Sequence, residues 1–89
     1  MLPRITTITL TKNSWTGSNP YSQTVSVATL TATDRVELCP TAQQIVDLQN
    51  DDVSLMAEND GGSLVVHAIG GKPSSDMTLQ ILLTAVSYV

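Results

Sequence analysis

The sequence lacks phenylalanine and is poor in aromatic and charged residues. Its aromatic side chains are Trp15, Tyr21 and Tyr88, and only 13% of its residues are charged, against about 25% in average globular proteins. Its four basic residues are scattered along a chain of net charge −4, so we expect no concentrated basic face for phosphate groups. These absences disfavour nucleic-acid binding. They also leave a surface that must be covered by Ser, Thr, Asn and Gln or by other subunits.

Cysteine and long apolar runs are scarce as well. Cys39 is the single cysteine, which excludes an intrachain disulfide and leaves no metal-ligand spacing. We interpret it as a small buried hydrophobe before Pro40. The first residues have neither the basic start nor the apolar run of a secretory signal, and no stretch reaches the ~18 apolar residues that span a bilayer. We therefore expect no signal peptide and no membrane insertion.

Alternating apolar and polar residues dominate what is present. The 89 residues are enough for one domain, and frequent Thr, Ser and Val favour strands over helices. A hairpin turn is predicted at 59–62, where two glycines allow positive φ. The fold class is therefore mainly β, a single domain over 1–89 that forms a small antiparallel β-sandwich of five to six strands with one short helix. The strands are predicted at 5–12, 21–30, 35–39, 53–58, 63–69 and 77–89.

One helix, at about 41–50, interrupts the strands. Thr41 and Gln44 have the spacing of a capping box, in which each side chain bonds to the backbone of the other residue. Apolar residues then recur at intervals of three, which predicts that one side of the helix faces the core. That buried stripe would consist of Ala42, Ile45 and Leu48, with Val46 beside it.

No constellation of residues predicts catalysis, a cofactor or a metal. His67, the single histidine, lies in mid-strand, and a triad with Asp76 and Cys39 has no local support. We interpret His67 as a half-buried strand residue or a pH-sensitive interface group. The carboxylates between 47 and 60 lack the alternating pattern of a calcium loop. We therefore predict a protein that is not an enzyme and that binds neither a cofactor nor a metal.

Two segments are candidates for contact with partners. Trp15 precedes a turn-forming stretch and either packs in the core or anchors an interface, while Tyr21 is expected at the surface. In the last predicted strand, the second face becomes apolar from Leu82 onward. Either the domain's own sheet and helix cover this face, or a neighbouring subunit does. The candidate interface residues are Trp15, Tyr21, Leu82, Val86 and Tyr88.

The segment Trp-Thr-Gly-Ser-Asn-Pro-Tyr-Ser-Gln-Thr-Val-Ser-Val at 15–27 resembles a family of small phage and prophage proteins. It is similar to that family's pattern Trp-Ser-Gly-x-x-Pro-Tyr-Thr-Gln-Thr-Val-x-Val. The stretch 72–81 is similar to the family's ending Lys-Pro-Thr-x-Asp-Leu-x-Val-x-Val. The resemblance covers nearly the whole chain, with departures at 30–36 and 50–52. It implies a virion structural protein of tail-fibre, baseplate or head-fibre type, without catalytic residues to carry over.

The leading hypothesis is a non-enzymatic bacteriophage structural protein, located in the virion and made in the host cytoplasm. It is expected to form a homo-oligomer, a trimer by resemblance, that serves as a fibre, baseplate or capsid-decoration module and contributes to host attachment. Its partners would be copies of itself and other phage structural proteins. The alternative is a carbohydrate-binding module that recognises host cell-surface glycans through exposed aromatic residues, with Trp15 and Tyr21 as the candidates.

Overall fold

The computed structural model describes residues 3–85 and has two antiparallel β-sheets packed face to face, with one short helix. The predicted fold class is confirmed. Seven strands, rather than five to six, are present in the described residues. The elements, in chain order, are β1 (Arg4–Leu10), β2 (Thr16–Gly17), β3 (Tyr21–Val25), β4 (Arg35–Cys39), α1 (Ala42–Asn50), β5 (Ser54–Asp60), β6 (Ser63–Ile69) and β7 (Met77–Thr84).

The additional strand arises in the loop that was predicted as a turn. Thr16 and Gly17 form β2 by pairing with Ser22 and Tyr21, and Gly17 adopts a positive φ of 83°. The strand predicted at 21–30 ends early at Val25, and the following residues form turns instead. The last strand ends at Thr84, and the predicted extension over 86–89 lies outside the described residues.

The two sheets differ in size and in their central strands. The three-stranded sheet has the order β1-β7-β4, and the four-stranded sheet has the order β2-β3-β6-β5. Consequently β7 is paired on both sides in one sheet and β6 in the other, while β1, β4, β2 and β5 are edge strands. At one side of the sandwich β4 lies next to β5, and at the other β1 lies next to β3.

The core lies between the sheets and follows the alternation of each strand. Successive side chains of a strand point to opposite faces, so every second residue of β6 and β7 is buried. The opposite face of β6 is only partly covered, because Ile69 is exposed and Val65 and His67 are half-buried. The completely buried core positions, with relative exposures of 1% or less, are Leu10, Leu64, Val66, Ala68, Ile81 and Leu83.

The helix begins as predicted, but a different side of it faces the protein. Thr41 Oγ1 accepts a hydrogen bond from the Gln44 N–H at 3.2 Å, and Gln44 Oε1 accepts one from the Thr41 N–H at 2.9 Å. The predicted buried stripe is wrong, since Ile45 and Val46 are 45% and 46% exposed and only Leu48 is buried. Gln44 Nε2 also donates to the Thr78 carbonyl at 2.7 Å, and this polar contact turns the side of Gln44 and Leu48 toward the domain.

Two smaller sequence predictions have opposite outcomes. The β5–β6 hairpin closes through Gly61 and Gly62, whose φ angles of 62° and 101° suit a tight turn. Its Gly62 N–H also donates to Asn59 Oδ1 at 2.9 Å. The buried position predicted for Cys39 is wrong, because its side chain is exposed. Pro40 ends β4, and the alternation of this strand turns Cys39 outward with Glu37.

Candidate assembly surface

The outer face of the three-stranded sheet carries the most exposed large apolar side chain of the described residues. Ile5 on β1 is 67% exposed and lies opposite Leu82 on β7, which is half-buried and lies opposite Glu37 on β4. Cross-strand partners have Cβ atoms about 4.5–5.5 Å apart, so the side chains of Ile5 and Leu82 are neighbours. This outer face consists of Ile5, Thr7, Thr9, Arg35, Glu37, Cys39, Thr78, Gln80, Leu82 and Thr84.

The rest of this face is polar and close to electrically neutral. Thr9 Oγ1 and Thr78 Oγ1 are 3.2 Å apart and share a hydrogen bond. Its two charged residues form an ion pair with each other, with Arg35 Nε 3.2 Å from Glu37 Oε1. Because both side chains are exposed, the pair adds little stability. A second copy of the chain would therefore meet little like-charge repulsion on this face.

Trp15 lies in the hydrophobic core and presents no contact surface. Its exposure is 8%, and it packs in one cluster with the buried residues of both sheets. Its indole N–H has no hydrogen-bond partner within residues 3–85. Of the two uses considered from the sequence, the structure supports core packing. The candidate interface therefore loses this side chain.

The other two candidate interface residues within residues 3–85, Tyr21 and Leu82, lie on different sheets. Tyr21 is half-buried on β3, packs against the core and has Lys72 Nζ 5.7 Å from its ring centroid. Leu82 belongs to the other sheet and points outward from it. Val86 and Tyr88 lie outside the described residues, so their placement stays a prediction. Of the candidates within residues 3–85, only Leu82 lies on the outer face of the three-stranded sheet.

The rest of the segment 15–27 serves the fold through polar contacts. Asn19 has a φ of 35°, precedes a cis peptide bond to Pro20, and accepts a hydrogen bond from the Gly70 N–H at 2.8 Å. Gln23 is buried on β3 and bonds to the backbone of Thr11 at the end of β1. These contacts attach the loop to distant parts of the chain.

Sequence reasoning missed Ile5 as a surface residue. Both faces of the first strand were mixed, because Ile5, Thr7 and Thr9 alternate with Thr6, Ile8 and Leu10. The buried side is the one with two apolar residues, Ile8 at 4% and Leu10 at 1% exposure. That majority was a usable signal, since the side with one apolar residue against two threonines is the more favourable one to leave in water.

The chemically reactive side chains lie apart. His67 points from the outer face of the four-stranded sheet, with Nε2 3.4 Å from Glu58 Oε2, whereas Cys39 lies on the outer face of the other sheet. Asp76 accepts a hydrogen bond from the Lys12 N–H at 2.8 Å. His67 and Cys39 are thus on opposite sides of the sandwich. Within residues 3–85 no group of three His, Cys, Asp or Glu side chains is placed to hold a metal ion.

The geometry defines a small antiparallel β-sandwich whose three-stranded sheet presents a nearly neutral, partly apolar outer face. Among residues 3–85, no helix has the length and apolar character required to cross a membrane. Comparisons with protein-family models, with curated proteins and with solved structures gave no significant match to this chain.

Proposed function

We propose that this chain is a non-enzymatic structural protein of a bacteriophage particle, a fibre, baseplate or capsid-decoration module. It assembles as a homo-oligomer, with the trimer as the basic unit, by burying the outer face of its three-stranded sheet. The observation that carries the proposal is the adjacent pair Ile5 and Leu82, which puts apolar surface on the water-exposed side of a sheet. Host attachment by the assembled particle would be a consequence of this role.

The energetic argument rests on the small size of the domain. Fully burying an isoleucine or leucine side chain is worth about 1.5–3 kcal/mol relative to leaving it exposed. Ile5 is 67% exposed in the single chain, so most of that gain is still available to an interface. A symmetric oligomer repeats the same contact at every interface, so two apolar residues per chain contribute several times.

The attribution to a phage particle rests on the resemblance at 15–27 and 72–81. In the structure, conspicuous residues of the segment 15–27 stabilise the chain's own architecture. Trp15 fills the core, Asn19 bonds to Gly70, and Gln23 bonds to Thr11. Residues with such roles are required by a fold whatever its partner. They therefore leave assembly to the exposed faces.

The carbohydrate-binding alternative has less support. It requires exposed aromatic rings for stacking, yet Trp15 is buried and Tyr21 is half-buried against the core beneath Lys72. These are the aromatic residues of the described part of the chain. No observation within residues 3–85 favours sugar binding over assembly.

Mass measurement on single variants tests the assembly. In native mass spectrometry, we expect the wild-type assembly to contain a multiple of three copies. For Leu82→Asp, we expect the number of copies to be no longer a multiple of three. The matched control is Thr24→Asp, an equally charged change at an exposed position on the four-stranded sheet, which should keep the wild-type mass. Circular dichroism must show that both variants fold. A wild type that is monomeric at all concentrations, or a dissociated control, would overturn the proposal.

The phage attribution needs a separate experiment. Particles released after induction of a strain that carries the gene would be purified and analysed by quantitative mass spectrometry. We expect the chain as a component with a fixed number of copies per particle. Its absence from purified particles, despite its expression in the cells, would overturn the virion role and leave the self-assembly proposal standing.

A further inference from the structure

Among the edge strands of the described residues, β1 is the long one whose unpaired edge has no charged side chains along its central residues. β1 pairs with β7 on one side only, and its residues from Ile5 to Leu10 carry no charge. The other edges differ: β4 carries Arg35 and Glu37, β5 carries Glu58 and Asp60, and β2 has only two residues. Proteins commonly protect edge strands with charges, prolines or short length, because an unpaired edge is a template for another strand. β1 has none of these protections within its central residues.

Contacts just after β1 show which backbone groups face outward. Both backbone groups of Thr11 bond to Gln23 on the other sheet, each at 3.2 Å, whereas the Lys12 N–H bonds to Asp76, just before β7, at 2.8 Å. In an extended antiparallel strand, the N–H and C=O of one residue point to the same side, and successive residues alternate. The backbone N–H and C=O of Thr11 therefore point away from β7. By the same alternation, so do the backbone groups of Ile5, Thr7 and Thr9.

We propose that two copies of the chain pair through β1 in antiparallel orientation, with the two-fold axis beside Thr7. In this register Thr7 faces Thr7 of the second copy, and Ile5 faces Thr9. In each strand, the three residues whose backbone groups point away from β7 then all pair with the other copy, which gives about six backbone hydrogen bonds. A shift of the register by two residues in either direction leaves one of these three residues unpaired on each strand, and about four backbone hydrogen bonds remain. The strand is thus most complementary to itself in the register centred on Thr7.

The side chains suit this register as well. Ile5, Thr7 and Thr9 all lie on the outer face of the three-stranded sheet and are exposed. Pairing places the apolar side chain of Ile5 beside the methyl group of Thr9 from the second copy, and β-branched residues pack favourably as cross-strand neighbours. No charged side chain faces another across the axis. The three strands of each copy then continue into one sheet across the pair.

This inference goes beyond the proposed function, because it concerns an edge rather than a face and does not depend on a phage particle. A two-fold edge contact joins copies in pairs, whatever other contact they make. If the face contact forms trimers and the edge contact joins them, the wild type is hexameric. The edge contact alone gives a dimer, and the face contact alone gives a trimer. The mass of the wild type therefore separates failure of one proposal from failure of the other.

The test variant is Thr7→Pro, because proline has no N–H and is tolerated at an edge where that group faces solvent. The Thr7 N–H is not used by the three-stranded sheet, so the fold should persist. We expect the mass of the assembly to halve. The control is Thr7→Val, which keeps the backbone N–H and the branched shape and should keep the wild-type mass. An unchanged mass for a folded Thr7→Pro, or a wild type with an odd number of copies, would overturn the inference.

Two further measurements apply if Thr7→Pro does not fold. Thr7→Lys puts two positive charges at the axis and should also halve the mass, while circular dichroism reports the fold. Amide hydrogen exchange on the wild type should show protection of the Ile5, Thr7 and Thr9 amides that increases with protein concentration. Fast exchange at these three amides in the associated protein, or concentration-dependent protection along β5 instead, would overturn the inference.

Discussion

Gln23 on β3 binds both backbone groups of Thr11, which follows β1. Gln23 Oε1 accepts a hydrogen bond from the Thr11 N–H, and Gln23 Nε2 donates one to the Thr11 carbonyl, each at 3.2 Å. Gln23 is only 7% exposed, and a buried amide is stable only when both of its halves are bonded. This side chain therefore joins the four-stranded sheet to the end of the edge strand β1.

We expect Gln23→Leu to destabilise the protein by about 1–3 kcal/mol, because the Thr11 N–H loses its partner and the Thr11 carbonyl keeps only its hydrogen bond from the Ser14 N–H. Urea unfolding measures the change. The matched control is Gln49→Leu at an exposed position of α1, which should change the free energy of unfolding by less than about 0.5 kcal/mol. Equal effects of the two variants would contradict the role of the Gln23 side chain.

The carboxylate of Asp34 should make stability depend on acid pH. Its pKa lies below the ordinary value, first because Oδ2 accepts a hydrogen bond from the Thr31 N–H at 2.9 Å and then because Arg4 bonds to it at 2.6 Å. A lowered folded-state pKa gives stability that is present above the unfolded value of about 3.9. That stability is lost as the pH falls through the lower folded-state pKa.

The corresponding variant is Asp34→Asn, which cannot titrate. Between pH 6 and strongly acidic pH, we expect the free energy of unfolding to fall less steeply for the variant than for the wild type. At pH 6 the variant should be the less stable of the two, because Arg4 loses its ionic partner. Chemical denaturation over a pH series measures both quantities. Parallel pH profiles for the two proteins would contradict the assignment.

Gly70 should not tolerate a side chain. Its φ is +93°, and an added Cβ would collide with the carbonyl oxygen of Asp52. Because the obstacle is backbone, Gly70→Ala should cost more than the roughly 1 kcal/mol of an unfavourable φ alone. Gly61→Ala is the control, since its φ is +62° and its Cβ would point into open space. Thermal unfolding should show the larger loss for Gly70→Ala, and the reverse order would contradict the close approach of Gly70 to Asp52.

Replacement of Leu82 and of Leu83 by alanine should have sharply different effects on stability, although the two residues are adjacent. Leu83 is completely buried between the sheets, so Leu83→Ala should cost about 2–5 kcal/mol through lost burial and a cavity. Leu82 points to the outer face and is half-buried, so Leu82→Ala should cost about 1 kcal/mol or less in the single chain. Denaturation at low protein concentration measures both changes. A large loss for Leu82→Ala would place it in the core and contradict the assembly surface.

Much of the local structure was predictable. Strands 35–39 and 63–69 have the bounds expected from their alternation, and the capping box of Thr41 and Gln44 places the start of the helix. These features depend on neighbours only a few residues away. The short strand β2 was not predictable in the same way, because Thr16 and Gly17 become a strand only by pairing with Ser22 and Tyr21.

The candidate site was less predictable than the fold. The sequence indicated Leu82 on a face that becomes apolar, but it gave no reason to place Ile5 beside it, since 77 positions separate the two. The buried side of the helix was also mispredicted, because a contact from Gln44 to distant Thr78 outweighs the spacing of Ala42 and Ile45.

The sequence by itself determined where most of the longer strands lie, where the helix begins and how the main hairpin turns, because these depend on local backbone preferences and a two-residue period. Tertiary structure alone decided that Trp15 and Gln23 are buried, that Ile5 adjoins Leu82, and that β1 is left as an uncharged edge. Those outcomes depend on which distant segments meet. Many pairings of strands satisfy the same local pattern, and the packing of two complete sheets selects one of them.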